Sequence, residues 1–424
     1  MRVSYLHMLG GSARHWDEVI TAIGPEHQHH PLDLPGFGDA SPVAMDVAGM
    51  ARAVADAVLA GPPWIIVGHS MGAKVAAVLA RWAQDGDPAL TQLAGVVTLA
   101  GSPPGPEPIE ERRRQAMLGW ASCGPVGYAH AGYFIDQNTA SNLRGTRRDL
   151  ARSDVERCSP AAWTAWLASG SQEDWSGRVG AITLPALIVA GAMDEDLGAD
   201  AQARLMQPHF PRAHLAMVPD AKHILPMEQP AAVATLITGF LARLAVPAGY
   251  MALIDSPRVS TATRAALLSR LDPPPPGPLT TAERATLRAL LNRVIPQSDD
   301  IDLTARVEAG LRTGDGWRPA VLPSDLDACR AGLGALADFV QLDEVAQDAV
   351  LTSIGNRAIW PNGWTSDQMQ AWFDDVRDAA VRAWVAHPAT MANLRYSGIA
   401  YAGDDAFKPG FADPGLGGRE AWEP

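Results

Sequence analysis

The chain is patterned in two different ways along its length. Up to about residue 245, short apolar runs alternate with amphipathic stretches. RVSYLHML, HHPLDLP, WIIVGHS, AGVVTLAG, LPALIVAGA and AHLAMVP are bounded by Gly, Pro or Asp, and each predicts a buried strand of about five to eight residues. Almost every position in them is apolar, as strands of a parallel sheet covered on both faces require. MDVAGMARAVADAVLA, MGAKVAAVLARWAQD and PAAVATLITGFLARLA lie between or after them and predict helices. Strand and helix in alternation predict an α/β domain over residues 1–245, its parallel strands joined by right-handed crossovers. From about Ser102 to Arg178 the alternation stops. Helix-like runs such as IEERRRQAMLGWA and AAWTAWLASG replace it, which predicts a helical insertion over one end of the sheet.

After Ala245 the strand pattern ends. LDPPPPGP (Leu271 to Pro278) can continue neither a helix nor a central strand, so 246–278 is expected as a linker that is Pro-rich at 272–278. Thr280-x-x-Glu283 is a capping box that opens TTAERATLRALLNRVIP, and Thr365-x-x-Gln368 opens SDQMQAWFDDVRDAAVRAWVAH, which ends before Pro388. With PSDLDACRAGLGALADFVQLD and LDEVAQDAVLTSI between them, residues 279–424 are expected as an all-helical domain.

Composition narrows the class. A chain of 424 residues with 47% hydrophobic and 19% charged residues is globular and long enough for two domains. Its formal charge is −13, which opposes a phosphate backbone, and the run Glu110-Glu111-Arg112-Arg113-Arg114 is mixed in sign. No nucleic-acid partner is expected. Three cysteines, Cys123, Cys158 and Cys329, make no disulfide framework and have no zinc-ligand spacing. His27, His29 and His30 have no carboxylate at ligand spacing, so no metal is expected there. No apolar stretch reaches the ~18 residues of a membrane span, and the N-terminus MRVSYLHMLGG has no secretory h-region. A cytoplasmic location with no membrane partner is the expectation.

The chemistry concentrates at Gly68-His69-Ser70-Met71-Gly72. The strand WIIV runs into this pentapeptide and the helix AKVAAVLARWA runs out of it, the context of a nucleophile elbow. The turn strains the serine and projects its hydroxyl above the sheet, and the flanking glycines leave room for neighbouring backbone. A serine needs a base and a group to orient that base. His223 follows the strand AHLAMVP in PDAKHILPMEQP, and Asp194 follows LPALIVAG in the turn AMDED. Both lie beyond the C-terminal ends of strands, where an open α/β sheet forms its crevice. The order Ser70, Asp194, His223 suits this architecture, with Glu195 and Asp196 as alternative acids. The backbone N–H groups of Met71 and of Leu9, in the loop LHMLGGSARHW, are the candidate oxyanion donors.

With these motifs in place, residues 1–245 resemble the α/β-hydrolase superfamily, in its branch of small esterases and C–C bond hydrolases. The residues that carry the resemblance are His7-x-Leu9-Gly10-Gly11-Ser12 with Trp16, Asp33-Leu34-Pro35-Gly36-Phe37-Gly38, GHSMG, GAMDED and AKHILPMEQP. It implies an α/β-hydrolase fold with a mostly parallel sheet, and Ser70, Asp194 and His223 as nucleophile, acid and base. The insertion at about 102–178 is then a cap that shapes the pocket. Trp120, Trp163, Trp166 and Trp175 are candidates for its wall or its core. The implied activity is that of a serine hydrolase opening a carboxylic ester or lactone without a cofactor, with C–C bond hydrolysis as the alternative. One departure stands out: Met8 follows His7 where the family has glycine, so a side chain is expected to narrow the site or alter the oxyanion loop.

Residues from about 278 to 411 resemble the gluconate 2-dehydrogenase subunit 3 family, in LTTAERATLRALLNRVIPQSDD and AWFDDVRDAAVRAWVAHPATMANLRYSGIAY. That resemblance implies an accessory domain with a flavin-dependent dehydrogenase as partner, and it assigns no catalytic residue. A non-enzymatic docking subunit is therefore the competing reading of the whole chain.

Overall fold

All six apolar runs form strands: β1 (Arg2–Leu6), β2 (Gln28–Leu32), β3 (Trp64–His69), β4 (Leu93–Leu99), β5 (Ala186–Gly191) and β6 (His214–Val218). This is a computed structural model, and it describes residues 1–25, 27–58, 63–140, 143–274, 277–296, 301–313, 321–358 and 364–397. The chain divides into two units, Met1–Phe240 and Leu241–Pro424.

In the first unit the sheet order is β2-β1-β3-β4-β5-β6, and every pairing is parallel. The inner strands β1, β3 and β5 are buried at every position, while the edges β2 and β6 are partly exposed. Parallel strands need crossovers, and helices supply them. In chain order these are α1 (Asp17–Ile23), α2 (Val47–Ala57), α3 (Met71–Gln84), the insertion helices α4 (Glu111–Trp120), α5 (Tyr128–Gln137), α6 (Gly145–Arg157), α7 (Pro160–Ala168) and α8 (Ser176–Val179), then α9 (Ala199–Leu205), while α10 (Leu225–Glu228) and α11 (Pro230–Leu244) follow the last strand. The insertion falls between β4 and β5, where the alternation in the sequence stops.

One core holds sheet and insertion together. Leu6, Ile66 and Ile188 from strands share a buried cluster with Phe134, Val155 and Trp163 from the cap. Two buried charges add directional ties. Lys74, in the first turn of α3, donates to the carbonyls of Gly170, Ser171 and Glu173 at 3.2, 3.2 and 2.8 Å, and burial pulls its ammonium down to about 8. Asp154, on α6, accepts from Ser12 Oγ at 2.6 Å, lies 3.2 Å from His15 Nε2 and pairs with Arg14. The cap thereby fastens the loop that follows β1.

The second unit contains α12 (Ala248–Asp255), α13 (Thr261–Ser269), α14 (Thr281–Val294), α15 (Leu303–Thr313), α16 (Asp325–Ala335), α17 (Glu344–Gly355), α18 (Ser366–Ala386) and α19 (Pro388–Asn393), with no strand among its described residues. Both capping boxes form, Thr280 with Glu283 and Thr365 with Gln368. Along α18, Met369, Trp372, Val376 and Ala380 make a buried stripe that joins Leu287, Leu290 and Phe339 in one core. The stretch 246–278, expected as a linker, is helical over Ala248–Asp255 and Thr261–Ser269. Its Tyr250, Ile254, Leu267 and Leu271 bury against Ala389 and Met391. That apolar partner lies more than a hundred positions downstream, so no local pattern announces it. Residues 275–276 of the proline run and 398–424 of the helical domain lie outside the described residues. No single helix among the described residues is long and apolar enough to cross a bilayer.

Candidate active site

The sharp turn between β3 and α3 places Ser70 at φ 50°, ψ −114°, outside the conformations ordinary residues favour. Such a residue stores about 1–3 kcal/mol of strain, held here by backbone bonds. Its N–H donates to Leu99 O at 2.9 Å, and its carbonyl accepts from Ala73 and Ser102 at 2.9 and 3.1 Å. Sterics explain the flanking glycines. A Cβ on Gly68 would lie 2.4 Å from Gly72 O, and one on Gly72 would lie 2.7 Å from both Leu6 Cβ and Leu6 O.

Asp194 and His223 meet across two loops. His223 Nδ1 donates to Asp194 Oδ2 at 2.8 Å, and the N–H groups of Asp196 and Leu197 donate to Oδ1 at 3.0 Å each. Because a carboxylate only accepts, Nδ1 carries the ring proton and Nε2 is left as the acceptor. Burial opposes charge on Asp194, but His223 and the two amides outweigh it and hold the carboxyl at about 2. Burial likewise opposes charge on His223. The neighbouring Asp194, then Glu107 and Asp196, reverse that effect and raise it above the usual histidine value. The alternative acids point elsewhere: Glu195 is exposed beside Lys222, and Asp196 pairs with Arg113.

Ser70 and His223 line one pocket, which encloses about 560 Å³ of space, part of it open to solvent. Leu9, Ile109, Met117, Phe134, Trp166 and Leu167 form its apolar wall, and Glu107, Arg113, Asn138 and Asp196 its polar side. Of the four tryptophans expected there, Trp166 lines the pocket. Trp163 and Trp175 are buried in the core, and Trp120 stacks on His130. The N–H groups of Met71, which opens α3, and of Leu9 meet no acceptor among the described residues. His7 shapes the Leu9 loop. Its Nδ1–H donates to Met8 O at 2.7 Å, and its Nε2 accepts from the Leu34 N–H at 3.0 Å. Burial holds His7 at about 4, so the ring is neutral near pH 7. Met8 turns into the core and does not line the pocket.

Several residues that sequence reasoning did not single out help build this site. His69, inside the elbow, donates from Nε2 to His223 O at 2.7 Å. Glu228 in α10 accepts from the N–H of Ala140 at 2.7 Å, of Lys222 at 3.1 Å and of Ile224 at 3.0 Å, bracing the loop that carries His223. An acid in the otherwise apolar ILPMEQP was the available signal. Glu107 and Asn138 had none, since their neighbours in sequence read as surface. Among the described residues no group of three or more His, Cys, Asp or Glu is placed to hold a metal ion. His29 spends its ring nitrogens on Tyr5 Oη and Gly24 O.

A parallel sheet that presents a strained serine after its third strand, beneath a helical cap, defines an α/β hydrolase. The chain belongs to the alpha/beta hydrolase family, whose model matches residues 6–236. The model of gluconate 2-dehydrogenase subunit 3 matches residues 281–403. Over 226 residues the chain is 26% identical to the pimeloyl-(acyl-carrier protein) methyl ester esterase of Nitrosomonas europaea, which covers 51% of this chain and 88% of that protein. An esterase from Exiguobacterium antarcticum superimposes with a TM-score of 0.50 at 15% identity, over 57% of this chain and 91% of its own, a likeness of fold.

Proposed function

We propose that the protein is a serine hydrolase that cleaves a carboxylic ester or lactone through an acyl-enzyme on Ser70. The observation that carries this reading is the 2.8 Å bond from His223 to Asp194 beside a pocket shared with the strained Ser70. Ser70 Oγ attacks the carbonyl carbon while His223 Nε2 accepts its proton. Asp194 keeps the imidazole in the required tautomer and offsets its positive charge. The N–H groups of Met71 and Leu9 hold the oxyanion, each contributing about 10²–10³-fold in rate. His223 then returns the proton to the leaving alkoxide, and a water activated by the same histidine releases the acid. The methyl ester esterase among the relatives supports the ester class.

Fluorophosphonate labelling read by intact mass tests the proposal. One adduct on the wild type and none on Ser70→Ala is the expected result, and an unlabelled, folded wild type would remove it. Labelling without turnover of any ester or lactone would move the reading to C–C bond hydrolysis.

A second reading draws on the match over residues 281–403. The helical domain docks a flavin-dependent dehydrogenase, whose oxidation of a cyclic hemiacetal yields a lactone for Ser70 to open, and the fusion raises the local concentration of that product. Rapid hydrolysis of simple esters with no activity on sugar or alkyl lactones would end this reading.

A further inference from the structure

We infer that Glu107 forms a polar subsite that selects esters carrying a hydrogen-bond donor, a hydroxyl or an ammonium, on an otherwise apolar body. The inference rests on the ester-hydrolase reading. Glu107 lies in the segment between β4 and α4, partly buried, and lines the pocket with Ser70 and His223. Its carboxylate is tied to the elbow. Ser102 donates its hydroxyl to Oε2 at 2.6 Å and its N–H to Ser70 O at 3.1 Å. Its backbone is fixed as well, with N–H to Ser171 O at 2.8 Å and the carbonyl accepting from Gln172 Nε2 at 3.3 Å.

The other oxygen, Oε1, has no partner among the described residues, and the neighbouring cations are already engaged. Lys74 spends its ammonium on the carbonyls of Gly170, Ser171 and Glu173. Arg113, in the same pocket, is paired with Asp196. Glu107 Oε1 is therefore an unspent carboxylate acceptor in a pocket that Leu9, Ile109, Met117, Phe134 and Leu167 also line. Burial already pushes the Glu107 carboxyl upward. A substrate that is alkyl throughout would cover that oxygen and leave it unpaired, whereas a donor on the substrate would satisfy it. Hydrogen bonds to a charged group decide between such substrates by about 10- to 100-fold.

The test uses the full chain and sets of isosteric esters. In each set a methyl of the acyl or alcohol part is replaced, one position at a time, by a hydroxyl or an ammonium. At one position or more the wild type is expected to favour the donor-bearing ester over its methyl isostere by about tenfold or more in kcat/KM. In Glu107→Leu that ratio falls to near one. In Glu107→Gln, which keeps an acceptor but no charge, a hydroxyl preference survives in part and an ammonium preference is lost. Circular dichroism confirms the fold of each variant. If the wild type labels with fluorophosphonate and hydrolyses esters but shows no donor preference, or if both variants keep the wild-type ratio, the subsite is overturned and the hydrolase reading stands. Absence of both adduct and hydrolysis overturns both.

Discussion

The backbone carbonyl of Asn138, at the end of cap helix α5, accepts the N–H of His223 at 3.1 Å and that of Ile224 at 3.2 Å. The histidine of the site is thus held from the cap as well as from the sheet, where His69 bonds its carbonyl. Glu228 completes the brace by joining Ala140 of the cap to Lys222 and Ile224. A movement of this part of the cap would displace His223, so in the proposed mechanism the cap would position the base in addition to covering the pocket.

Replacing Glu228 with Gln keeps the volume but offers one acceptor oxygen where three N–H groups converge. Glu228→Gln is expected to lower kcat by about 10- to 100-fold, because small displacements of a catalytic group are that costly. KM changes less, and a purely structural defect would instead lower the folded fraction without changing kcat per folded molecule. Steady-state kinetics beside a melting curve separates the two.

In the proposed mechanism His223 must be neutral to accept the proton of Ser70, and Asp194 holds its pKa above the usual value. The rate kcat/KM should therefore rise with pH, with its acid-limb midpoint above 6.5. In Asp194→Asn the midpoint moves down, and kcat falls by about 10³–10⁴-fold as the tautomer preference is lost. A pH–rate profile of both proteins checks this.

Asp154 is buried and held at about 2 rather than 3.8, since His15, Ser12 and Arg14 outweigh the effect of burial. A folded-state pKa below the unfolded one contributes stability that is complete above about pH 4 and is lost as pH falls toward 2, of order 2 kcal/mol. Asp154→Asn should melt lower at pH 7 and show a flatter decline of Tm between pH 5 and 2. Scanning calorimetry across that range measures both.

At Gly72 an added methyl would meet Leu6 Cβ and Leu6 O at 2.7 Å, and strand backbone cannot give way cheaply. Gly72→Ala is expected to cost about 2–4 kcal/mol, seen as a lowered Tm or as insoluble protein. A variant as stable as the wild type would show that the elbow tolerates more space than its geometry indicates.

In the helical unit, Thr365 accepts from the Gln368 N–H at 3.1 Å as half of a capping box. Thr365→Ala should destabilise that unit by about 1 kcal/mol, read by chemical denaturation, while ester hydrolysis stays unchanged.

Much of this was legible in the chain itself. WIIVGHSMG could be read as strand, turn and helix because its sterics are local: Gly68 and Gly72 answer to backbone within a few residues or in the adjacent strand. The two capping boxes were visible for the same reason, each being a contact across three residues. Leu9 and Met71 could be named as candidate donors from their places beside the first strand and the elbow, and their N–H groups meet no acceptor among the described residues. The cap was visible only as an interruption, and 246–271 looked like a connection because Tyr250 and Leu271 find Ala389 and Met391 far downstream.

The sequence by itself determined the six strands, the helices that follow β2 and β3, the elbow around Ser70, and the order in which Asp194 and His223 follow. Those depend on hydrophobic period and on short-range sterics, both written into neighbouring residues. Tertiary structure alone decided that Asp194, and not Glu195 or Asp196, reaches His223, that Asn138 and Glu228 brace it, and that Glu107 faces the pocket. Periodicity reports that a face will be buried but does not name the partner that buries it. Which distant groups come within hydrogen-bond reach is settled only when sheet and cap close over one core.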